Sequence, residues 1–227
     1  MGRKVHPIGF RLNITRTWDA RWYAEGEKYV DQLHQDISIR NLIREEAEMA
    51  GVSRIEIERF PGKVNIIVHS SKPGVLIGRK GANVKQLRRL LEELVGEKID
   101  LDIEEIENPD LDAYLVACNV ARQIESRISF SRAMSRTIQR SMRSGAEGIR
   151  VEAAGRLGGA EMARTIHMQE GRVPRQTLRA DLDYALKEAA TAYGNIGIKV
   201  WIYRGEVLPA IDEEETTAEH DGVYVSR

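Results

Sequence analysis

A Gly-Arg-Lys-Gly tetrapeptide, from Gly78 to Gly81, constrains the fold of this chain more than any other short stretch. Glycine lacks a Cβ atom, so a turn with glycine at both ends can bend tightly and lie close to a ligand. Apolar residues recur at helical spacing between Ala82 and Val95, and a helix N-terminus attracts anions through its unpaired N–H groups. The stretch therefore predicts a phosphate-binding loop, with a plain glycine turn between two helices as the alternative.

The segments on either side of the loop indicate the domain that contains it. Helical spacing covers Glu27 to Ala50, with a possible restart at Ser38. Two alternating strand patterns follow, SRIEIERF and PGKVNIIVHS, joined by a Pro-Gly turn, and a third, KIDLDIEEI, comes after the loop helix. The order of helix, strand, strand, short helix, Gly-x-x-Gly, helix and strand resembles the type II (prokaryotic) KH domain.

This resemblance implies that the first domain binds RNA. In KH domains the Gly-x-x-Gly loop clamps the backbone of about four nucleotides. We expect an N-terminal domain at residues 18–108, with the KH fold at about residues 38–107. The expected RNA contacts are the loop and two basic residues of the following helix: Gly78, Arg79, Lys80, Gly81, Lys85 and Arg88.

The net charge of −1 hides a strong asymmetry along the chain. The tail at residues 211–227 holds six acidic residues and one arginine, and the rest of the chain has a net charge of +4. Residues 122–179 hold twelve arginines, no lysine and five acidic residues, a local net charge of +7. A local basic field governs nucleic-acid binding more than the total charge does. We expect the tail to be disordered and remote from RNA.

A helical pattern from Leu111 to Arg143, with a possible break near residues 129–131, opens the second half. On an ideal helix four of its arginines fall within an arc of about 80°. Met134, Ile138 and Met142 lie roughly opposite, and no acidic residue occurs between Arg127 and Arg143. A solvated charged face usually mixes signs, so phosphate binding is favoured over simple solvation. The predicted contacts are Arg132, Arg136, Arg140 and Arg143.

The remaining patterns predict a second α+β domain at residues 109–210. Strand alternation occurs at residues 149–153, 163–169 and 195–203, and residues 181–193 read as a helix. The glycine-rich turn GRLGG lacks the Gly-Lys-Ser/Thr end of a nucleotide phosphate loop. Further RNA contacts are expected at Arg156, Arg164, Arg172, Arg175 and Arg179.

Residues 1–17 read as an extended basic arm, because they contain Pro7, two glycines and several cations. Such arms often become ordered only against an anionic partner. The expected RNA contacts in the arm are Arg3, Lys4 and Arg11.

The composition gives no sign of catalysis, metal binding or membrane insertion. Cys118 is the single cysteine, which rules out an internal disulfide and suits a reducing compartment. No two of the five histidines stand at metal-ligand spacing, and no apolar run reaches 18 residues. We expect a protein that is not an enzyme, needs no cofactor and does not enter a membrane.

Several long segments resemble one family. The family is that of bacterial small-subunit (30S) ribosomal protein three, the universal KH-domain ribosomal proteins. Five segments of this chain are similar to successive segments of that family: GRKVHPIGFRL, VLIGRKG, FSRAMSRTIQRSMRSGAEGIRVEAAGRLGGAEMART, EGRVPRQTLRADLDYA and YGNIGIKVWIYRGE. The resemblance implies a KH domain followed by a ribosome-specific α+β domain in the head of the small subunit, in the cytoplasm. It implies contacts with 16S rRNA and mRNA, and with small-subunit proteins four, five, ten and fourteen. The family is associated with unwinding structured mRNA without ATP hydrolysis.

Two features depart from that family. Members implicated in unwinding carry three basic residues on the second-domain helix, where this chain has Ser131, Arg132 and Ser135. The family's tail is often basic, whereas this one is acidic. Two other classes stay open: a free KH-type RNA chaperone or regulator, and a nuclease or DNA-lesion lyase. A lyase needs an activated amine, and the basic window has no lysine.

Overall fold

The computed structural model describes residues 4–207 except the side chain of Glu48, so Arg3 and the predicted acidic tail lie outside the described residues. Two four-stranded sheets, each packed against helices, make up this part of the chain. The strands are β1 (Ala20–Arg21), β2 (Val52–Phe60), β3 (Lys63–Ser70), β4 (Lys98–Glu105), β5 (Gly148–Gly155), β6 (Arg164–Gly171), β7 (Ala180–Thr191) and β8 (Gly194–Glu206). The α-helices are α1 (Glu27–Glu46), α2 (Pro73–Ile77), α3 (Ala82–Val95), α4 (Ala113–Glu125) and α5 (Phe130–Arg143).

The first sheet has the strand order β1-β2-β3-β4. β2 and β3 form an antiparallel hairpin, and β4 runs parallel to β3. Alternate residues of these strands face the helices, because successive side chains of a strand point to opposite faces. The succession from α1 to β4 confirms the predicted type II KH order. Its core includes Ile39, Ile43, Ile57, Ile66, Leu91 and Ile99.

Helix α1 does not restart at Ser38 as the sequence suggested. It is continuous, and the Ser38 hydroxyl donates to the carbonyl oxygen of His34 at 3.0 Å. A serine inside a helix can bond to the carbonyl four residues earlier in this way. The buried residues Ile39 and Ile43 stay on one face beyond Ser38, so the core holds the helix together across this position.

The second sheet has the order β6-β5-β8-β7 and is antiparallel throughout. Helices α4 and α5 pack on one face of it. The break between them lies at residues 126–129, slightly earlier than predicted. The core between helices and sheet includes Val120, Met134, Ile138, Ile149, Val151, Ile198 and Val200.

The helix predicted at residues 181–193 is wrong, because this segment is strand β7. Its alanines favour helix on intrinsic propensity, and Ala185 and Ala189 are spaced for one face of a helix. The same spacing also fits one face of a strand, and both alanines lie in the core beneath the helices. Leu182 packs on the opposite face with Trp201 and Tyr203. Pairing along the whole of β8 therefore overrides the local preference.

The N-terminal arm lies mostly outside helices and strands, and residues 4–21 form an interdomain strap that contacts both domains. At one end, β1 pairs in parallel with β2 of the KH domain. In the middle, Arg16 forms an ion pair with Asp183 of β7 at 3.0 Å. Arg11 is fully buried against the loop that precedes β7. Between Arg16 and Ala20 the chain therefore passes from the surface of the second domain to the sheet of the first domain.

None of the helices within residues 4–207 has the length and apolar character needed to cross a membrane.

Candidate RNA interface

The backbone of the Gly-x-x-Gly loop has positive φ angles at three of its four residues. Gly78 has φ 68° and Gly81 has φ 73°, and Lys80 between them also has a positive φ of 54°. A Cβ atom on Gly78 would lie 2.5 Å from Cγ of Asn83. Around Gly81 no heavy atom lies within 4 Å of that position. Glycine is therefore favoured at Gly78 by both backbone and space, and at Gly81 by backbone alone.

Asn83 holds the loop in place and was missed by the sequence analysis. Its Nδ2 donates to the carbonyl oxygen of Val75 at 3.1 Å, which ties the first turn of α3 to α2. The signal was present, since an asparagine two residues after the second glycine can reach backbone groups across a turn. Asn83 is thus a positioning residue for the loop.

The loop offers free positive charge beside an uncapped helix end. Arg79, Lys80 and Lys85 are exposed, and none of them joins an ion pair formed within residues 4–207. No side chain caps α3, and its first turn has no acidic residue. The N–H groups there remain available to an anion. Val75 and Ile77 are each a little under half exposed next to this charge and provide an apolar surface for bases.

Arg88 has a different environment from the loop cations. Its guanidinium pairs with Glu92 at 3.2 Å and with Asp100 of β4 at 3.0 Å. The hydrogen bond from Lys63 lowers the pKa of Asp100, and the charge of Arg88 lowers it further against the opposing effect of burial. Arg88 therefore joins α3 to the edge of the sheet, and its charge is already compensated.

Helix α5 presents the predicted arginine face. Arg132, Arg136, Arg140 and Arg143 are all exposed, while Met134 and Ile138 are buried on the opposite side. Among the ion pairs of residues 4–207, none includes any of the four arginines. Ser131 and Ser135 are exposed on the same helix. The face is thus a purely cationic surface within the described part of the chain.

The other predicted basic residues divide into free and engaged groups. Arg164, Arg172 and Arg175 are exposed and join no ion pair in the part of the chain that is described. Arg179 pairs with Glu206 at 2.7 Å. Arg156 donates to the carbonyl oxygens of Ala160 and Tyr193 and lies over the Tyr193 ring at 5.5 Å. Arg156 thus connects two loops of the second domain.

The predicted RNA contact at Arg11 is contradicted by its burial. Its guanidinium donates to the carbonyl oxygens of Pro7, Thr177 and Ala180 at 2.9 to 3.0 Å. Burial lowers the pKa of Arg11, and the nearby charge of Arg16 lowers it further. Lys4 is exposed, and Arg3 lies outside the described residues. Sequence gives no sign of this burial, because two of these acceptors, the carbonyls of Thr177 and Ala180, are more than 160 residues away.

Between residues 4 and 207, no group of three or more histidine, cysteine, aspartate or glutamate side chains could hold a metal ion. The chemistry of the surface is that of cations, backbone N–H groups and small apolar patches. Such a surface is suited to binding a phosphate backbone.

Two family models match the two halves of the chain. The model described as KH domain matches residues 38–111. The model described as Ribosomal protein S3, C-terminal domain, matches residues 120–202.

Similar proteins match nearly the whole chain. A protein named small ribosomal subunit protein uS3 from Streptococcus mutans is 56% identical over 210 residues, which cover 92% of this chain and 96% of the relative. Proteins of the same name from Streptococcus gordonii and Streptococcus pneumoniae are 55% and 56% identical with the same coverage. With this identity over nearly its full length, the chain belongs to the family of the small ribosomal subunit protein uS3.

Proposed function

We propose that this protein is a structural component of the head of the small ribosomal subunit, where it binds 16S rRNA and borders the channel through which mRNA enters. Membership of the uS3 family supports the place in the small subunit. The exposed KH loop and the cationic face of α5 support the contacts with RNA. The role is structural rather than catalytic.

The arginine face of α5 is the observation that carries the RNA proposal. Between Arg132 and Arg143 it extends about 16 Å at the helical rise per residue. Arginine suits phosphate because its planar guanidinium can donate two hydrogen bonds to one group. Because the face has no acidic partner within residues 4–207, its charges are available to successive phosphates of one strand.

The α5 face is proposed to contact mRNA, and other free cations are proposed to contact rRNA. By holding a separated mRNA strand, this face would disfavour re-pairing of that strand, and the protein would need no ATP to do so. Ser131 and Ser135 make this grip weaker than in relatives with three basic residues, so Arg132 carries a larger share of it. The proposed rRNA contacts are Lys4, Arg79, Lys80, Lys85, Arg164, Arg172 and Arg175, with small-subunit proteins four, five, ten and fourteen as neighbours.

The test compares translation of structured and unstructured mRNA. Ribosomes carrying Arg132→Ala and Arg136→Ala should pass a stable hairpin about twofold to fivefold more slowly, since an exposed ion pair contributes up to about 1 kcal/mol. Unstructured mRNA should be translated at the parent rate. Arg127→Ala is the matched control, because Arg127 is exposed but lies outside α5. If the variant and the parent pass the hairpin equally fast, the face anchors rRNA only.

The runner-up function is that of a free KH-type RNA chaperone or regulator, which the accessible Gly-x-x-Gly loop would also serve. A high-salt wash of purified small subunits separates the two. An integral protein stays with the subunit, whereas a free RNA-binding protein is released.

A further inference from the structure

A deep cleft separates the two domains next to the interdomain strap. Its volume is about 900 Å³, and its walls come from the strap, α1, β2 and β7. Arg40 and Arg44 of α1 line one side, one helical turn apart. Val207, the last described residue, also lines it. A cavity of this size can hold a substantial ligand or a chain segment.

Every aspartate that lines the cleft already has a partner. Asp19 pairs with Arg54 at 2.8 Å. Asp181 and Asp183 both lie near Arg16, and Asp183 also pairs with Arg204 at 3.3 Å. Asp112 accepts hydrogen bonds from the Ser53 hydroxyl and the backbone N–H of Leu115. The negative charge of the cleft is therefore compensated from within.

The positive charge of the cleft is not compensated in the same way. Among residues 4–207, the side chain of Glu48 set aside, Arg40 and Arg44 take part in no ion pair. The Arg44 guanidinium lies over the Tyr114 ring at 5.9 Å, which orients it towards the second domain. Thr15 Oγ1, also on the cleft wall, is buried and finds no hydrogen-bond partner among the described residues. These groups match a ligand that carries carboxylate oxygens.

The chain itself supplies such a ligand at the mouth of the cleft. The segment after Val207 reads LPAIDEEETTAEHDGVYVSR, with six acidic residues and one arginine. The run Asp212–Glu215 begins five residues beyond Val207, which is a reach of at most about 18 Å. A ligand tethered at this distance has an effective concentration in the millimolar range.

We propose that the acidic run Asp212–Glu215 binds in the interdomain cleft against Arg40 and Arg44, as an intramolecular ligand of the protein before it meets RNA. The run covers cations that would otherwise hold RNA phosphates without sequence preference. RNA and a second copy of the chain are the competing occupants, and the experiment distinguishes them from the tail.

The first measurement is zero-length carbodiimide coupling in the full chain. Arg44→Lys keeps the charge and provides an amine that can couple to a tail carboxylate. Cross-linked peptides joining this position to residues 212–215 should exceed those at the control Arg127→Lys by at least about tenfold, because the tether concentrates the tail at one site. Mixing isotope-labelled and unlabelled protein identifies coupling between copies. Equal coupling at both positions, or coupling only between copies, would overturn the proposal.

The second measurement is the affinity for a short single-stranded RNA of mixed sequence. Neutralising the run by Asp212→Asn, Glu213→Gln, Glu214→Gln and Glu215→Gln should raise the affinity about fivefold or more, since removing a tethered competitor frees the site. Arg40→Glu with Arg44→Glu should abolish that gain while circular dichroism stays unchanged. If the gain persists without both arginines, the tail acts elsewhere and the cleft is not its site.

Discussion

At the scale of single residues, two glycines of one motif have unequal roles. Gly78 combines a positive φ with a position packed against Asn83, whereas Gly81 has the positive φ and open space around it. The motif therefore has one end fixed by packing and one end fixed only by backbone conformation. The packed end depends on Asn83, whose amide also bonds to Val75.

Gly78→Ala should destabilise the protein by about 2 to 3 kcal/mol, since it adds displacement of Asn83 to backbone strain. Gly81→Ala, at a residue in the left-handed region with open space around it, should cost about 1 to 2 kcal/mol. Urea unfolding of the full chain measures both. Equal losses would mean that Asn83 moves aside freely and does not position the loop.

The roles of individual arginines could be predicted only where they depend on local spacing. The α5 face follows from the helical repeat, and its four members are indeed exposed on one side. The roles of Arg11 and Arg88 depend on acceptors brought close by the fold, such as the carbonyl of Ala180 and the carboxylate of Asp100. Sequence shows the cation but not its distant partner, so free and engaged arginines look alike.

At the scale of secondary-structure elements, the sequence predicts the KH domain well and the second domain less well. Apolar and polar residues alternate clearly in the KH strands, and proline and glycine separate β2 from β3. Both the type and the boundaries of these strands could therefore be predicted from the sequence. Strand β7 has alanines and charged residues whose spacing suits both helix and strand. The choice is made by pairing with β8, which no local pattern reveals.

The start of α4 contains a partly buried carboxylate that links the two domains. Asp112 caps the helix by accepting from the N–H of Leu115. Its other oxygen accepts from Ser53 of β2. Burial raises the pKa of Asp112, and the nearby Asp183 carboxylate raises it further. The ionised cap is therefore less favourable in the folded protein than in the unfolded chain.

Asp112→Asn should change how stability depends on pH. Because the folded-state pKa lies above the unfolded one, the folded state holds the proton more tightly, and this contribution is lost as the pH rises through the folded-state pKa. Asparagine also caps helices but does not ionise. The variant should therefore gain stability relative to the parent as the pH rises from about 4 towards neutrality. Urea unfolding over this range checks it, and a difference that stays constant with pH would contradict it.

At the scale of the whole molecule, the strap and one direct hydrogen bond connect the two domains. The strap adds β1 to the first sheet and places Arg11 and Arg16 against the second domain. Ser53 and Asp112 add a direct hydrogen bond between the domains. All of these contacts lie within residues 4–207, so the arrangement does not require the acidic tail.

Truncation before Asp212 should leave assembly into small subunits intact. The removed residues carry six acidic side chains, which phosphate would repel, and both family matches end before them. Co-sedimentation of the truncated protein with the small subunit should equal that of the full chain. Failure to incorporate would show that the tail has a required partner in the subunit.

The burial of Arg11 has a consequence for the order in which the chain folds during synthesis. Arg11 is made among the first residues, yet its main acceptors, Thr177 and Ala180, are made about 170 residues later. Domains generally fold as units from the N-terminus during synthesis, so the KH domain can form while this arginine still lacks its site. Bringing such distant segments together is slow. The strap can form its contacts with the second domain only after β7 has been translated. The first residues to be made are therefore among the last to reach their final contacts.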